Sequence, residues 1–497
     1  MAMATVMAEA AQGKLVEVGP TERNPRPKPA PATENKAFRP YDPGQVLLMS
    51  PVLSEWVPEG DLAHFVSDLV EEVLDLTPIY ASYEEERGYP PYDPRLMAKL
   101  LIYGYANGTC SSRKLERATH RDVAVRMLCS GQQPDYRSIA RFRARHLEAL
   151  SELFVAALRL CAEAGLVKLG HLALDGTKLR ANASRHKAMS YERMTKAQAR
   201  LEAEVGELRA RARALLEEAE GTDRAEDELY GPDNRGDELP EELARRETRL
   251  ERLREAKAAQ EAEAREREER RQAEMRAEGR VPRKPDPDDE PPAPKPTAQR
   301  NFTDPESKIM KTADGAFHQC FNGQAVVDSH AQVMLAAELT DEVPDAQLEP
   351  ALDQLAGNLE AIGAQLPEGA TLAADAGYFS EDNVRATELK GLDPHIATGH
   401  QKHSDPPPLS PRGRVPKGAT PKQRMARKLK TKPGQAVYAR RKAIVEPVFG
   451  QMGTVQSTRQ LLLRGKEAAR AQWRFHCAVH NLLKLDRAGG LGLVGAT

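Results

Sequence analysis

A single carboxylate constrains this chain more than any other feature. Leu172 to Ala183 reads LALDGTKLRANA, and Asp175 lies inside an apolar run of the length a buried strand has. Strands are depleted in aspartate, and a lone carboxylate in such a place must hold its charge against desolvation or be held by a cation. Any fold that contains this strand has to bring Asp175 a partner.

The chain leaves the compact pattern just after this strand. From Tyr191 to Glu278 it is Ala, Glu, Arg and Leu in helical register, broken once by GTDRAEDELYGPDNRGDELP. Leu201, Val205, Leu208, Ala212 and Leu215 alternate four and three apart, and Leu243, Leu250 and Leu253 continue a similar seam. An antiparallel coiled-coil hairpin inserted over residues 185–299 is the simplest account, with the Pro-rich VPRKPDPDDEPPAPKP returning the chain as a linker. Its charged flanks read as solvated faces. The seam can close within one chain or between two.

A compact pattern then resumes. QAVVD (Gln324 to Asp328) and VMLAAELT (Val333 to Thr340) read as an antiparallel strand pair. Pro344 opens a helix through Leu348, Leu352, Leu355, Leu359 and Ile362; the strand TLAAD, a helix over Asp382 to Leu389 and the short strand HIATG follow. This order describes an α/β fold, a mixed sheet covered by helices, assembled from residues 171–184 and 300–487. Residues 488–497 read as a tail.

Ahead of the first strand, residues 1–45 are Ala, Pro and charge without periodicity, a disordered tail by composition. Residues 46–170 read as an all-α domain. Leu62, Phe65, Val66, Leu69, Val70, Val73 and Leu74 share one helix face, and a second helix follows the Pro-rich turn at Pro90 to Pro94 through Leu96, Leu100, Leu101 and Tyr103. In PDYRSIARFRARH, Asp135 or Ser138 can cap a helix presenting Arg137, Arg141, Arg143 and Arg145. Such a helix can bind DNA or can be a solvated basic face, and composition does not choose between them.

Net charge is −2 but unevenly placed: Gln401 to Arg487 holds 20 Lys and Arg against four acids, or +16. A polyanionic partner for this part is the physical expectation. Within it, Pro406 to Lys432 reads as a basic, Pro-rich loop that orders on DNA or serves as a plain linker. The five cysteines form no CxxC pair, which argues against structural zinc or a disulfide framework. No run approaches a membrane span and no signal pattern opens the chain, so a cytoplasmic protein without a membrane partner is expected.

Two further acids can meet Asp175. Asp375 ends the strand TLAAD, at the kind of strand end where open α/β sheets bind ligands. Alone it reads as a turn aspartate before Gly377; beside Asp175 it makes a pair that cannot stay ionised without a cation. Glu446 lies in AIVEPVFGQMG, on a stripe with Ala443, Gly450 and Gly453, so a close-packed helix would leave it pointing into the gap, while Pro447 starts or kinks that helix. As a plain first-turn acid Glu446 would only offset the helix dipole. Three oxygen donors without a Cys or His cluster suit Mg²⁺ or Mn²⁺. Two such ions roughly 4 Å apart stabilise both oxygens of an in-line phosphoryl displacement. Beside a +16 segment, this reads as a metal-dependent enzyme that cleaves or transfers nucleic-acid strands.

Taken in order, YDPRLMAKLLIYGYANG with PDYRSIARFR, LALDGTKLRANAS, FNGQAVVD, AADAGYFSEDN and IVEPVFGQMG resemble the segments of bacterial insertion-sequence DDE transposases. The resemblance runs from about Pro43 to Leu485. It implies a ribonuclease-H-like catalytic domain in which Asp175, Asp375 and Glu446 hold two Mg²⁺ ions, with Asp175 bridging. It implies double-stranded DNA, both element ends and target, as partner, and a homodimer that brings two ends together. The implied reaction is cleavage of the element's ends and their joining to target by hydrolysis and transesterification. Tyr438 and Lys442 or Arg441 resemble the tyrosine and arginine that precede the family's glutamate, with imperfect spacing. Gly453 stands where a DNA-contacting lysine is usual, and Arg459 or Lys466 is left to substitute. The rival readings are a nuclease that cuts without joining and an inactive or domesticated DNA-binding protein.

Overall fold

The apolar runs pair into one sheet around the strand that carries Asp175. The computed structural model describes residues 52–83, 90–184, 188–207, 209–210, 241–277, 293–342, 348–399, 410–416 and 418–494. The chain divides into two units, Met1–Trp56 and Val57–Thr497. The described residues of the first contribute one 3₁₀ turn, Leu53–Trp56; everything below belongs to the second. The tail 1–45, the break around 221–240 and the seam residues Leu208, Ala212 and Leu215 lie outside the described residues.

The helical region is built as its caps and spacing dictate. Helix α1 (Leu62–Asp68), capped by Asp61, runs on into a π-helical turn at Leu69–Val73, and Phe65, Val66, Leu69 and Val70 face inward. After α2 (Thr77–Ala81), Asp93 caps α3 (Pro94–Ala106) by accepting from the Arg95 N–H, with Pro94 in the first turn where its missing donor costs nothing. Helices α4 (Ser112–Arg121), α5 (Val123–Leu128), α6 (Tyr136–Arg145) and α7 (Leu147–Glu163) follow. Asp135 is the α6 cap, accepting from the Arg137 and Ser138 N–H groups.

Strand β1 (His171–Arg180) lies at the centre of a mixed six-stranded sheet. The insertion is entered and left through β2 (Ala188–Ser190) and β3 (Gln299–Asn301), which pair antiparallel in a small sheet of their own. On one side β1 pairs antiparallel with β5 (Phe317–Asp328), which in turn pairs with β4 (Lys308–Lys311) and β6 (Met334–Thr340). On the other side it pairs in parallel with β7 (Thr371–Ala374), and β7 with β8 (Asp393–Ile396). A strand flanked on both edges and covered by helices is apolar throughout, as Leu172, Ala173 and Leu174 are. The expected pair 324–328 and 333–340 is present. Strand β4, too short and too polar to signal itself, was not foreseen.

Within the insertion, helix α8 (residues 191–207) lies against α9 (Glu241–Ala277). Met194, Leu201 and Val205 meet Leu250, Leu253 and Ala256 in a separate apolar cluster. Arg254 reaches Glu202 and Arg209 reaches Glu247, each at 2.8 Å, so the two helices run antiparallel and their described contact closes within the chain.

Helices α10 (Leu348–Ala361) and α11 (Glu381–Leu389) alternate with the last strands, and α12 (Pro421–Leu429), α13 (Lys432–Thr454) and α14 (Lys466–Ala488) complete the fold. Part of the expected basic loop is therefore helix. Thr420 and Gln423 form a reciprocal capping box and Met425 is buried, which holds α12 against α13. Helix α14 packs on α7, and buried apolar residues from Val57 to Leu485 form one cluster, so the N-terminal helices and the sheet share a core. Among the described residues no helix is long and apolar enough to cross a membrane.

Candidate active site

Helix α13 packs on β1, β7 and β8 and covers the face of β1 on which Asp175 stands. Asp175 accepts from the Gly176 N–H through Oδ1 at 2.8 Å and from Arg441 Nη1 through Oδ2 at 2.7 Å. Burial raises the Asp175 pKa; Arg441 and the Gly176 N–H pull it down, and the charge of Asp375 adds to the rise. Burial works against charge on Arg441, yet Asp175, Tyr438 and Asp375 together hold its pKa above the usual value. Burial also pushes the Tyr438 phenol up; Arg441 opposes this, and Asp375 and Asp175 reinforce it.

Asp375 arrives from β7. The register pairs Ala173 with Ala373, and both aspartates lie two residues beyond that pair. Asp375 caps the 3₁₀ turn Ala376–Tyr378, accepting from the Gly377 N–H at 2.8 Å, so the expected turn role and the position beside Asp175 coexist. Two residues that the sequence reading passed over complete this corner. A β-carbon on Gly176 would lie 2.8 Å from Asn322 Oδ1 and 3.2 Å from Tyr378 Oη, so the glycine admits both polar groups beside Asp175. Asn322 beside Gly323 in FNGQAVVD, and a tyrosine just after Asp375, were the available signals.

Glu446 is placed differently from the two aspartates. Tyr438, Arg441, Val445, Val448 and Met452 follow the three-and-four spacing that turns one face of α13 to the sheet, and Val445 and Val448 are fully buried. Glu446 falls off that face; its side chain is 63% exposed and Lys442 Nζ lies 3.9 Å away. The stripe of small residues does not face the sheet either, since a β-carbon on Gly450 would meet nothing within 4 Å. Pro447 is inside α13 and does not start it. Among the described residues no group of three or more Asp, Glu, His or Cys is placed to hold a metal ion. The Asp175–Asp375 pair does fit a hard cation in donor chemistry: two carboxylates share one half-buried corner, and the positive charge they call for comes from Arg441.

The basic residues divide. Arg137 and Arg141 are exposed on α6, and Arg113 and Arg137 flank the Tyr136 ring at 5.1 and 5.7 Å. Arg145 lies over Tyr83 at 4.7 Å. Arg143, expected on the same surface, is instead buried, donating to the Cys110 carbonyl at 2.8 Å and to Ser112 Oγ at 3.3 Å; its position in α6 faces α4 and not solvent. Arg459 lies over Gly453, where an added β-carbon would be 3.4 Å from its Nε. Lys466 is committed elsewhere, to Asp341 at 2.8 Å.

Two family matches bear on this arrangement. Residues 51–145, which include α1 to α6, match the family described as Transposase domain (DUF772). Residues 415–486, which include α12, α13 and most of α14, match the family described as Transposase DDE domain; that span holds Glu446, Arg441 and Tyr438 but neither aspartate. No curated protein and no solved structure matches the chain. The chain thus carries, in this order, a segment that matches the DUF772 transposase domain and a segment that matches the transposase DDE domain.

Proposed function

We propose that this protein cleaves the ends of its own insertion sequence and joins them to target DNA, with Asp175, Asp375 and Glu446 as the acids that hold Mg²⁺. The observation that carries the reading is the placement of Asp175 and Asp375, each two residues beyond the Ala173–Ala373 pair of neighbouring parallel strands, under a helix from the matched DDE segment. We read the strand order β6, β5, β1, β7, β8 as ribonuclease-H-like, with α8 and α9 as a coiled-coil hairpin inserted after β1. Bound Mg²⁺ supplies charge for the oxygens that develop it in phosphodiester displacement, and Mn²⁺ is expected to substitute.

The remaining work falls to the chain. The β1–β7 register fixes the spacing of the two aspartates, and the Gly176 and Gly377 N–H groups orient them. Glu446, exposed and off the sheet face of α13, enters the proposal as the third acid through its place in the matched DDE segment. Residues 410–442 contain no acid and give duplex DNA a basic approach that ends at Tyr438, Arg441 and Lys442. Arg137, Arg141 and Arg145 on α6 are a second basic surface for the element ends. A homodimer holding two ends is part of the proposal.

The test is cleavage of duplexes bearing the inverted repeats that flank the coding region. D175N, D375N and E446Q should each lose cleavage by more than about 100-fold while still binding the duplex. A variant that still cuts removes its residue from the trio. Pre-cleaved ends that fail to join target would favour a nuclease that only cuts.

A further inference from the structure

Arg441 already does for Asp175 what a cation would do. Its Nη1 donates to Asp175 Oδ2 at 2.7 Å, with the two side chains only 11% and 19% exposed. It reaches the carboxylate from a helix face that Val445 and Val448 pin to the sheet. Its Nε is buried without a hydrogen-bond partner among the described residues, so the carboxylate is the main anchor of the guanidinium.

We infer that Arg441 and a divalent cation compete for Asp175, so that Arg441 sets how tightly the site takes up metal and couples that uptake to DNA. The inference rests on reading Asp175 and Asp375 as the metal-holding pair. A guanidinium hydrogen-bonded to one oxygen of a half-buried carboxylate and a divalent ion on the same carboxylate are like charges at contact distance, where little solvent screens them. Uptake of the ion therefore requires Arg441 to give up its bond. Nearby the protein offers it Tyr438, and Asp375, which the same ion would occupy; residues 410–442 hold no Asp or Glu, and Glu446 lies off the sheet face of the helix. A phosphate of the DNA lying along this acid-free segment is the anion available to receive the freed guanidinium. Metal and DNA then each favour the other's binding, by linkage, and without DNA the site stays closed by its own arginine.

The experiment is titration of the full-length protein with Mn²⁺ alone, followed by calorimetry. R441Q should bind Mn²⁺ roughly 10-fold tighter than the wild type or more, the worth of one charge-assisted hydrogen bond. R441K, which keeps the charge, should stay close to the wild type. Unchanged or weaker binding by R441Q, or tightening by R441K as large as that by R441Q, overturns the inference. Should R441Q not fold, the wild type decides: a short duplex must tighten Mn²⁺ binding, and no change overturns the coupling. The double variant R441Q/D175N separates the two levels. Loss of Mn²⁺ binding there retains Asp175 as a metal-holding residue even if R441Q alone shows no tightening. Undiminished binding places the ion elsewhere and removes both readings.

Discussion

Gln332 donates its side-chain amide to the carbonyl of Ala443 at 3.1 Å. That carbonyl is the one Pro447 leaves unpaired, because proline has no N–H to return to the residue four before it. Gln332 sits in the β5–β6 turn at φ +60°, accepts from Lys484 Nζ through Oε1 at 3.0 Å, and has His480 Nε2 3.1 Å from its backbone oxygen. One turn residue thus ties α13, the helix over Asp175, to α14.

Q332A should therefore destabilise the protein by about 0.5–1.5 kcal/mol, the net worth of an ordinary hydrogen bond. In a P447A background the helix regains its own donor, and the same substitution should cost measurably less. Urea melts of the four proteins give this cycle, and equal costs in both backgrounds would show that Gln332 does not compensate for the proline.

Gly108 tests the seam between the helical region and the far end of α13. It sits at φ +69°, and a β-carbon there would lie 2.4 Å from the Val455 carbonyl oxygen. G108A should lower stability by ~1–3 kcal/mol, from both the left-handed backbone and the clash. A melting temperature equal to the wild type's would mean that the two segments separate easily.

Acid should weaken the fold through two buried histidines. Burial first, then Arg143, brings His476 down to about 3; burial brings His480 to about 4, with Lys484 and Arg487 adding to the fall against the Gln332 carbonyl. Both stay neutral in the folded state, whereas the unfolded chain protonates them near 6.5. Their stability contribution is full above that pH and is lost as pH falls from there toward the folded values, by about 1.4 kcal/mol per pH unit for each. H476F should flatten the dependence between pH 6.5 and 5 by about one proton in denaturant melts; an unchanged slope would place the proton uptake elsewhere.

Arg459 and Lys466 should part in their effects. R459A is expected to weaken duplex binding and to lower the salt slope by about 1, as loss of one phosphate contact does. K466A should leave that slope alone and lower thermal stability, since Lys466 is paired with Asp341. The reverse result would make Lys466 the substitute for the lysine missing at Gly453.

What could be read from the sequence follows from where the constraint was local. Asp175 and Asp375 were legible as neighbours because each ends or interrupts an apolar run and the strand order leaves few ways to close the sheet. Helix α13 was legible as a helix, but not its rotation: Val445, Val448 and the small stripe of Ala443 and Gly450 offer two faces, and only packing chose the bulky one. That choice is what turned Glu446 outward and Arg441 inward. Arg143 failed for the same reason, since a helix written as Arg, Phe, Arg, Ala, Arg must bury one position beside Phe142. Strand β4 and helix α12 needed β5 and a capping box, which composition alone does not announce.

The small β2–β3 ribbon has a consequence for how such a chain can vary. Its three residue pairs hold the feet of the insertion one strand spacing apart, about 4.8 Å. Glu263 adds a grip at the base, meeting Arg300 at 2.6 Å and Lys308 at 3.1 Å. Among the described residues the insertion meets the rest of the fold near this footing, through Glu263 to Lys308 and Arg270 to Glu342. Changes to α8 and α9 away from this footing, around Arg209 and Glu247, are thereby insulated from the corner where Asp175 sits, which makes that part of the two helices a natural place for a label.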